Sequence, residues 1–115
     1  VIGLGGQGRA NLNGVAGENV VALCDLDATR AGDAFTKFAA AKRYVDFRKM
    51  YDEMEKQIDG VVISTPDHTH FNPAYRAMQM GKHVYLEKPM AHSVWEVREL
   101  TKLAAEKKVA TQLGV

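Results

Sequence analysis

Three short stretches combine residue types that do chemistry. Glu87-Lys88-Pro89 sets a carboxylate and an ammonium beside a rigid imino acid. Proline fixes φ and lacks an N–H, so it ends a strand and sets how the chain leaves, and it holds the preceding lysine extended. In a crevice, such an ammonium can bind a substrate or ribose hydroxyl and help a proton leave during hydride transfer. The competing reading is a solvated Glu-Lys pair at a strand end. Asp67, His68 and His70 form a D-H-x-H cluster. A structural zinc site takes about four ligands, and no second cluster of Cys or His supplies them, so no metal is expected. The stretch reads instead as a crevice-lining loop whose turn is shaped by Thr65 and Pro66. The third stretch opens the chain, where Gly3, Gly5 and Gly8 give G-x-G-x-x-G after an apolar start. Such glycines allow a tight turn, a close approach of backbone to pyrophosphate, and a helix seated on a strand, with phosphate on free N–H groups at the positive helix end. Asp25 stands 20 residues after Gly5, at the end of the apolar run Val20–Cys24, where an acid accepts hydrogen bonds from an adenosine ribose.

Apolar runs of strand length alternate with helical periodicity, the pattern of a doubly wound parallel sheet with helices on both faces. Strands are predicted at 20–24, 43–45, 60–64, 84–86 and 109–112. The first helix is predicted from about Gly8 to Val15, broken by Gly14 and Gly17. Asp27 is placed to cap a helix with Ala31, Ala34, Phe35 and Phe38 on its apolar side. Asp46 caps another, with Phe47, Met50, Tyr51 and Met54 at i, i+3, i+4 and i+7 as core packing. Asn72 and Pro73 suit N-cap and first-turn positions of a helix that ends at Gly81, and Ser93-Val94-Trp95-Glu96 is a capping box. On this reading Gly5, Asp25, Thr65, Glu87 and Gln112 all fall at or just past the carboxyl ends of strands. Those ends form the ligand crevice of a doubly wound sheet.

The 115 residues suffice for one domain with a real core. A net charge of +1 makes no electrostatic case for nucleic acid or a membrane surface, and no apolar run approaches the ~20 residues of a membrane-spanning helix. The single cysteine, Cys24, lies in an apolar strand and reads as a small buried hydrophobe rather than a nucleophile. His83 and His92 have no sequence partner and read as surface or packing residues. Arg9 stands where it can help a phosphate or remain solvated. The chain opens inside a strand and stops as another begins to turn, so it reads as a fragment of a longer protein. Compartment is therefore open: cytoplasmic by default, with an exported form compatible.

Taken together, Gly3-Leu4-Gly5-Gly6-Gln7-Gly8, Ala22-Leu23-Cys24-Asp25, Ser64-Thr65-Pro66-Asp67-His68-Thr69-His70, Gly81-Lys82-His83-Val84-Tyr85-Leu86-Glu87-Lys88-Pro89 and Ala110-Thr111-Gln112-Leu113-Gly114 span essentially the whole chain. The sequence resembles the N-terminal half of the glucose–fructose oxidoreductase/inositol dehydrogenase (Gfo/Idh/MocA) family. The resemblance implies a Rossmann domain for NAD or NADP and hydride transfer to or from a sugar, cyclitol or related polyol. It implies Gly3, Gly5, Gly6, Gln7 and Gly8 at the pyrophosphate and Asp25 at the adenosine ribose. Thr65, Pro66 and His70 would line the nicotinamide side, with Glu87 at the nicotinamide ribose and Lys88 at that ribose and the reacting hydroxyl. The family's other catalytic groups, commonly an Asp and a His, lie in a second α/β domain. Members usually pair as homo-oligomers through that domain's open sheet. The family pattern often has Asn where Asp67 stands.

Asp25 favours NAD over NADP, because a carboxylate repels a 2′-phosphate. Two other functions use the same cofactor domain: a glycosidase that employs bound NAD as a transient oxidant, and a non-enzymatic sensor or scaffold.

Overall fold

The computed structural model describes residues 1–114. Its elements run α1 (Gln7–Gly14), β1 (Ala22–Cys24), α2 (Ala28–Ala31), α3 (Ala34–Lys37), β2 (Lys42–Tyr44), α4 (Phe47–Met54), β3 (Gly60–Ile63), α5 (Phe71–Gln79), β4 (His83–Leu86), α6 (Val94–Lys107) and β5 (Thr111–Leu113). All strand pairs are parallel: β1 with β2, β3 with β4, and β4 with β5. Ile2 joins the two ribbons by bridging Cys24 on one side and Ile63 on the other. Its N–H donates to the Val62 carbonyl at 2.8 Å, its carbonyl accepts from the Ser64 N–H at 2.8 Å, and the Gly3 N–H donates to the Cys24 carbonyl at 2.9 Å. The spatial order is therefore β2, β1, Ile2, β3, β4, β5. The order reverses at Ile2, and the residues that leave it are the glycines.

Alternation of side chains across the strands divides the core. Ile2, Ala22, Cys24, Ile63, Val84 and Leu86 face α4, α5 and α6, whereas Leu4 and Leu23 face Leu12 of α1 and Ala31 and Ala34 of α2 and α3. Met50, Tyr51 and Met54 are buried in α4, as their spacing predicts. Burial pushes the Tyr51 phenol far above its ordinary pKa, and its hydroxyl donates to the Pro73 carbonyl at 2.8 Å. Asp27 caps α2 through the N–H groups of Thr29 and Arg30, Asp46 caps α4, and the Ser93–Glu96 capping box is formed.

Three local expectations are corrected. The helix expected through Ala31, Ala34, Phe35 and Phe38 is two one-turn pieces, because Gly32 takes φ 47° between them. Asn72 is not a cap. A 3-10 turn over Asp67–Thr69 runs into α5, whose N-cap is His70. Pro73 still falls in the first turn, where its missing N–H costs nothing. The last strand begins at Thr111 because α6 runs to Lys107 and Lys108 turns left-handed at φ 55°. Gln112 consequently lies inside β5, and Gly114 occupies its carboxyl end.

Candidate active site

Each crevice residue owes its place to a strand ending at the same edge of the sheet. After Ile2 the chain turns through Gly3, at φ 89°, and Gly6, at φ 50°; both values favour glycine. The turn is crowded on its inner side. A Cβ on Gly3 would lie 2.6 Å from the Ser64 carbonyl oxygen, and one on Gly8 would collide with the Gly3 carbonyl oxygen. The outer side is open, with nothing within 4 Å of a Cβ built on Gly6. Gly6 caps α1 without a side-chain hydrogen bond. Among the described residues, the N–H groups of Gly5, Gly6 and Gln7 donate to no protein acceptor. A helix N-terminus with free donors and an open approach suits an anion.

Asp25 follows β1 and is tied to this turn. One carboxylate oxygen accepts from the Leu4 N–H at 2.8 Å and the other from the Asp27 N–H at 2.9 Å. Its orientation is thus fixed by backbone, with a further lone pair on each oxygen. Arg30, which sequence reasoning passed over, lays its guanidinium against Gly5, with Nε 3.3 Å from a Cβ built there. Arg9 is withdrawn from the phosphate role: it pairs with Asp33 and donates to the Ala31 carbonyl at 2.5 Å, and the pairing lowers the Asp33 pKa.

Beyond β3, Ser64 and Thr65 lead to Pro66. Thr65 Oγ1 is buried with no hydrogen-bond partner among the described residues. Pro66 is exposed and its carbonyl accepts from the Thr69 hydroxyl at 2.7 Å. His70, expected to line the nicotinamide side, is 1% exposed. Its Nδ1 lies 2.7 Å from the Pro89 carbonyl oxygen and its Nε2 2.8 Å from that of Thr65. Both ring nitrogens therefore face backbone carbonyl oxygens. His70 fastens the Thr65 turn to the loop after β4 and has no free nitrogen for a cofactor or metal. Among the described residues no three His, Cys, Asp or Glu side chains converge as metal ligands.

The N–H of Glu87 donates to the Ile63 carbonyl at 3.0 Å, which anchors the exit of β4. The Glu87 side chain is the one expected at the nicotinamide ribose. It is 8% exposed and turns inward, where Oε1 accepts from Asn11 Nδ2 at 2.9 Å and the carboxylate lies over Gly114. Oε1 is thus held by the fold. Lys88, the next residue, is exposed and forms no ion pair among the described residues. Asn11 and Arg30 are the site neighbours that sequence reasoning missed, while Ser64 and Gly114 stand in the motif stretches without a role of their own. Asn11 left a trace, as a polar residue one helical turn beyond Gln7.

Cys24 lies under this edge in the core, and burial pushes its thiol up to about 12. The thiolate is the reactive species, so an alkylating reagent at pH 8 is expected to leave Cys24 unmodified until the protein is unfolded. Mass spectrometry of labelled native and denatured protein checks this; rapid native labelling would contradict the burial. A separate hollow of about 720 Å³ sits at the opposite, amino ends of the strands, lined by Val1, Val62, Tyr85 and Gln112 among others. The glycine turn and Lys88 take no part in it.

The profile of an oxidoreductase family with an NAD-binding Rossmann fold matches residues 1–115. The chain belongs to the Gfo/Idh/MocA family. An inositol 2-dehydrogenase from Salmonella typhimurium is 35% identical over 96 residues, covering 79% of this chain and 28% of that protein. A glycosyl hydrolase family 109 protein from Streptomyces niveus is 33% identical over 114 residues, covering 90% of this chain and 23% of its own length. In three dimensions, myo-inositol 2-dehydrogenase from Lactobacillus plantarum superposes over 98% of this chain and 34% of its own, with a TM-score of 0.87 at 28% identity. The chain thus spans between about a quarter and a third of the length of these relatives.

The residues present fit the cofactor of a Gfo/Idh/MocA domain. The turn at Gly6 takes a φ of 50° that favours glycine and opens on free space, with room for a phosphate. Thr65 Oγ1 is a buried polar atom at the crevice with no protein partner among the described residues, a group that a ligand can satisfy. Asp25 is held at the edge with spare acceptor capacity.

Proposed function

We propose that the protein carrying this domain is a nicotinamide-dependent oxidoreductase acting on a sugar, cyclitol or related polyol. The observation that carries this reading is the presence, at one sheet edge, of the glycine-turn N–H groups and the exposed Lys88, neither of which has a partner among the described residues. Bound NAD supplies the acceptor or donor of a hydride. Gly5, Gly6 and Gln7 bind the pyrophosphate through backbone N–H groups, and Gly3 and Gly8 permit that approach. Asp25 accepts from the hydroxyls of the adenosine ribose, and Thr65 and Pro66 wall the nicotinamide side. Lys88 binds a ribose hydroxyl, and its ammonium gives a proton to the substrate oxygen in the reducing direction, the neutral amine taking it back in the oxidising one. The names of the relatives point to a cyclitol as the first substrate to try. Assay of the whole protein against inositol isomers and pyranoses, following absorbance of the reduced nicotinamide, tests the reading. Cofactor binding without turnover on any polyol would favour a sensor or scaffold instead.

Asp25 selects NAD over NADP in this reading, since its fixed carboxylate repels a 2′-phosphate. Arg30 is the counterweight, a cation beside the same turn with no ion pair among the described residues. NADH is expected to bind at least about tenfold tighter than NADPH, a difference of ~1.4 kcal/mol, and Asp25→Ala to abolish the preference. Calorimetric titration of both cofactors decides it, and tighter binding of NADPH to the parent protein would overturn the assignment.

The Streptomyces niveus relative, named a glycosyl hydrolase family 109 protein, supports a second reading. Here the same domain serves a glycosidase that oxidises a sugar carbon, eliminates the aglycone and returns the hydride. The two differ in redox balance. A dehydrogenase reduces one nicotinamide per turnover, whereas the glycosidase releases aglycone with no net change in NAD.

A further inference from the structure

We infer that Asn11 is a positioning residue, which orients Lys88 by holding the Glu87 carboxylate on the underside of the crevice. The inference rests on the reading of Lys88 given above. Asn11 lies on α1, one turn beyond the glycine loop. Its Nδ2 donates to Glu87 Oε1 at 2.9 Å and to Ser64 Oγ at 2.8 Å, while its Oδ1 accepts from Gln7 Nε2 at 3.0 Å. A carboxylate oxygen only accepts, so the atom facing Glu87 is the amide nitrogen, and both of its protons are then used. Glu87 keeps 8% of its surface exposed, and Asn11 is its one side-chain hydrogen-bond partner among the described residues. A nearly buried carboxylate without a donor is costly, so Asn11 decides whether Glu87 stays inside.

The chain then passes this choice to Lys88. Lys88 opens the bend over 88–90 that follows β4, one peptide away from the residue that Asn11 holds. With the Glu87 side chain fixed against Asn11 and Gly114, the backbone from which the exposed Lys88 leaves is fixed as well. Release of Glu87 removes that constraint and lets the Lys88 backbone rotate. The connected side chains Gln7, Asn11 and Glu87 begin at the N-terminus of α1, where the phosphates are proposed to bind, and end beside the lysine. They set the separation between the seat of the cofactor and the ammonium, and a displacement of about 1 Å in a reacting group can cost ~100-fold in rate.

The test uses the whole protein and the variants Asn11→Ser, Asn11→Ala, Glu87→Gln and the Asn11→Ala/Glu87→Gln double. Asn11→Ala is expected to lower kcat by about tenfold or more while the NADH dissociation constant stays within about threefold of the parent. The double variant is expected to be no slower than Glu87→Gln, because the two residues act through one contact. Additive losses, an unchanged kcat, or weakened NADH binding with kcat intact would each overturn the inference. The parent protein offers a readout free of both turnover and folding defects in Asn11→Ala. The side-chain amide of Asn11, identified by its loss in Asn11→Ser, is expected to exchange slowly by NMR and to shift in Glu87→Gln. A freely exchanging amide would overturn the contact. A slow amide together with undiminished kcat in Lys88→Met would instead retire the reading of Lys88 and leave the Asn11–Glu87 contact standing.

Discussion

Lys88→Met in the whole protein is expected to lower kcat by roughly 100- to 10,000-fold, the range for removal of a group that transfers a proton in the transition state. Methionine keeps the length and apolar stem of lysine and removes the ammonium. The side chain is exposed and has no ion-pair partner among the described residues, so its loss leaves no buried charge unpaired and should leave the melting temperature nearly unchanged. The dissociation constant of NADH should rise only by the worth of one ribose hydrogen bond, about 0.5–1.5 kcal/mol. Stopped-flow measurement of the hydride-transfer step beside a cofactor titration separates the two effects. A variant that binds NADH and turns over at the parental rate would remove Lys88 from the chemistry and leave the ammonium as a solvated strand-end group.

The second large effect is expected at Gly8. Alanine there places a methyl group against the Gly3 carbonyl oxygen and 3.3 Å from the Ser64 Cβ, and both neighbours are held. Gly3 donates its N–H to Cys24 at 2.9 Å, and Ser64 follows the bonded end of β3. The helix must move off the strand, which costs about 1–3 kcal/mol for an overpacked contact, or roughly 4–8 °C in melting temperature per kcal/mol for a domain of this size. The same movement pulls the N–H groups of Gly5, Gly6 and Gln7 out of register with one another, so NADH affinity should fall at least about tenfold. Gly14→Ala is the control. Nothing lies within 4 Å of a Cβ there, and alanine in place of a helical glycine is worth up to about 1 kcal/mol of added stability. If Gly8→Ala bound NADH as the parent does, the glycine turn would not be the pyrophosphate seat.

The parts of the molecule legible in the primary structure are those governed by short-range rules. Asp27, Asp46 and Ser93 cap the helices they precede because a cap needs only a side-chain oxygen and the N–H groups two or three residues on. The buried face of α4 follows from spacing, and the parallel sheet follows from short apolar runs separated by helices. The misreadings are also local in cause. Gly32 interrupts one helix because its left-handed φ outweighs the apolar periodicity around it, and a 3-10 turn leads straight into α5, which starts at Phe71 and so takes Asn72 into the helix.

At the crevice the division is sharper. The spacing of Gly3, Gly5 and Gly8, the acid at position 25 and the sequence Glu87-Lys88-Pro89 sufficed to mark one edge of the sheet and a nucleotide as its ligand, because backbone conformation and charge type are properties of single residues and close neighbours. They did not reveal which of those side chains face the crevice. His70 and Glu87 carry polar groups that suit a cofactor, yet both turn inward, toward the carbonyls of Thr65 and Pro89 in one case and toward Asn11 in the other. Asn11 and Glu87 are 76 residues apart. Their contact exists only because the sheet brings α1 against the exit of β4, and burial then obliges each polar group to find a partner from a distant part of the chain. Chemistry was written in residue types, and direction was set by packing.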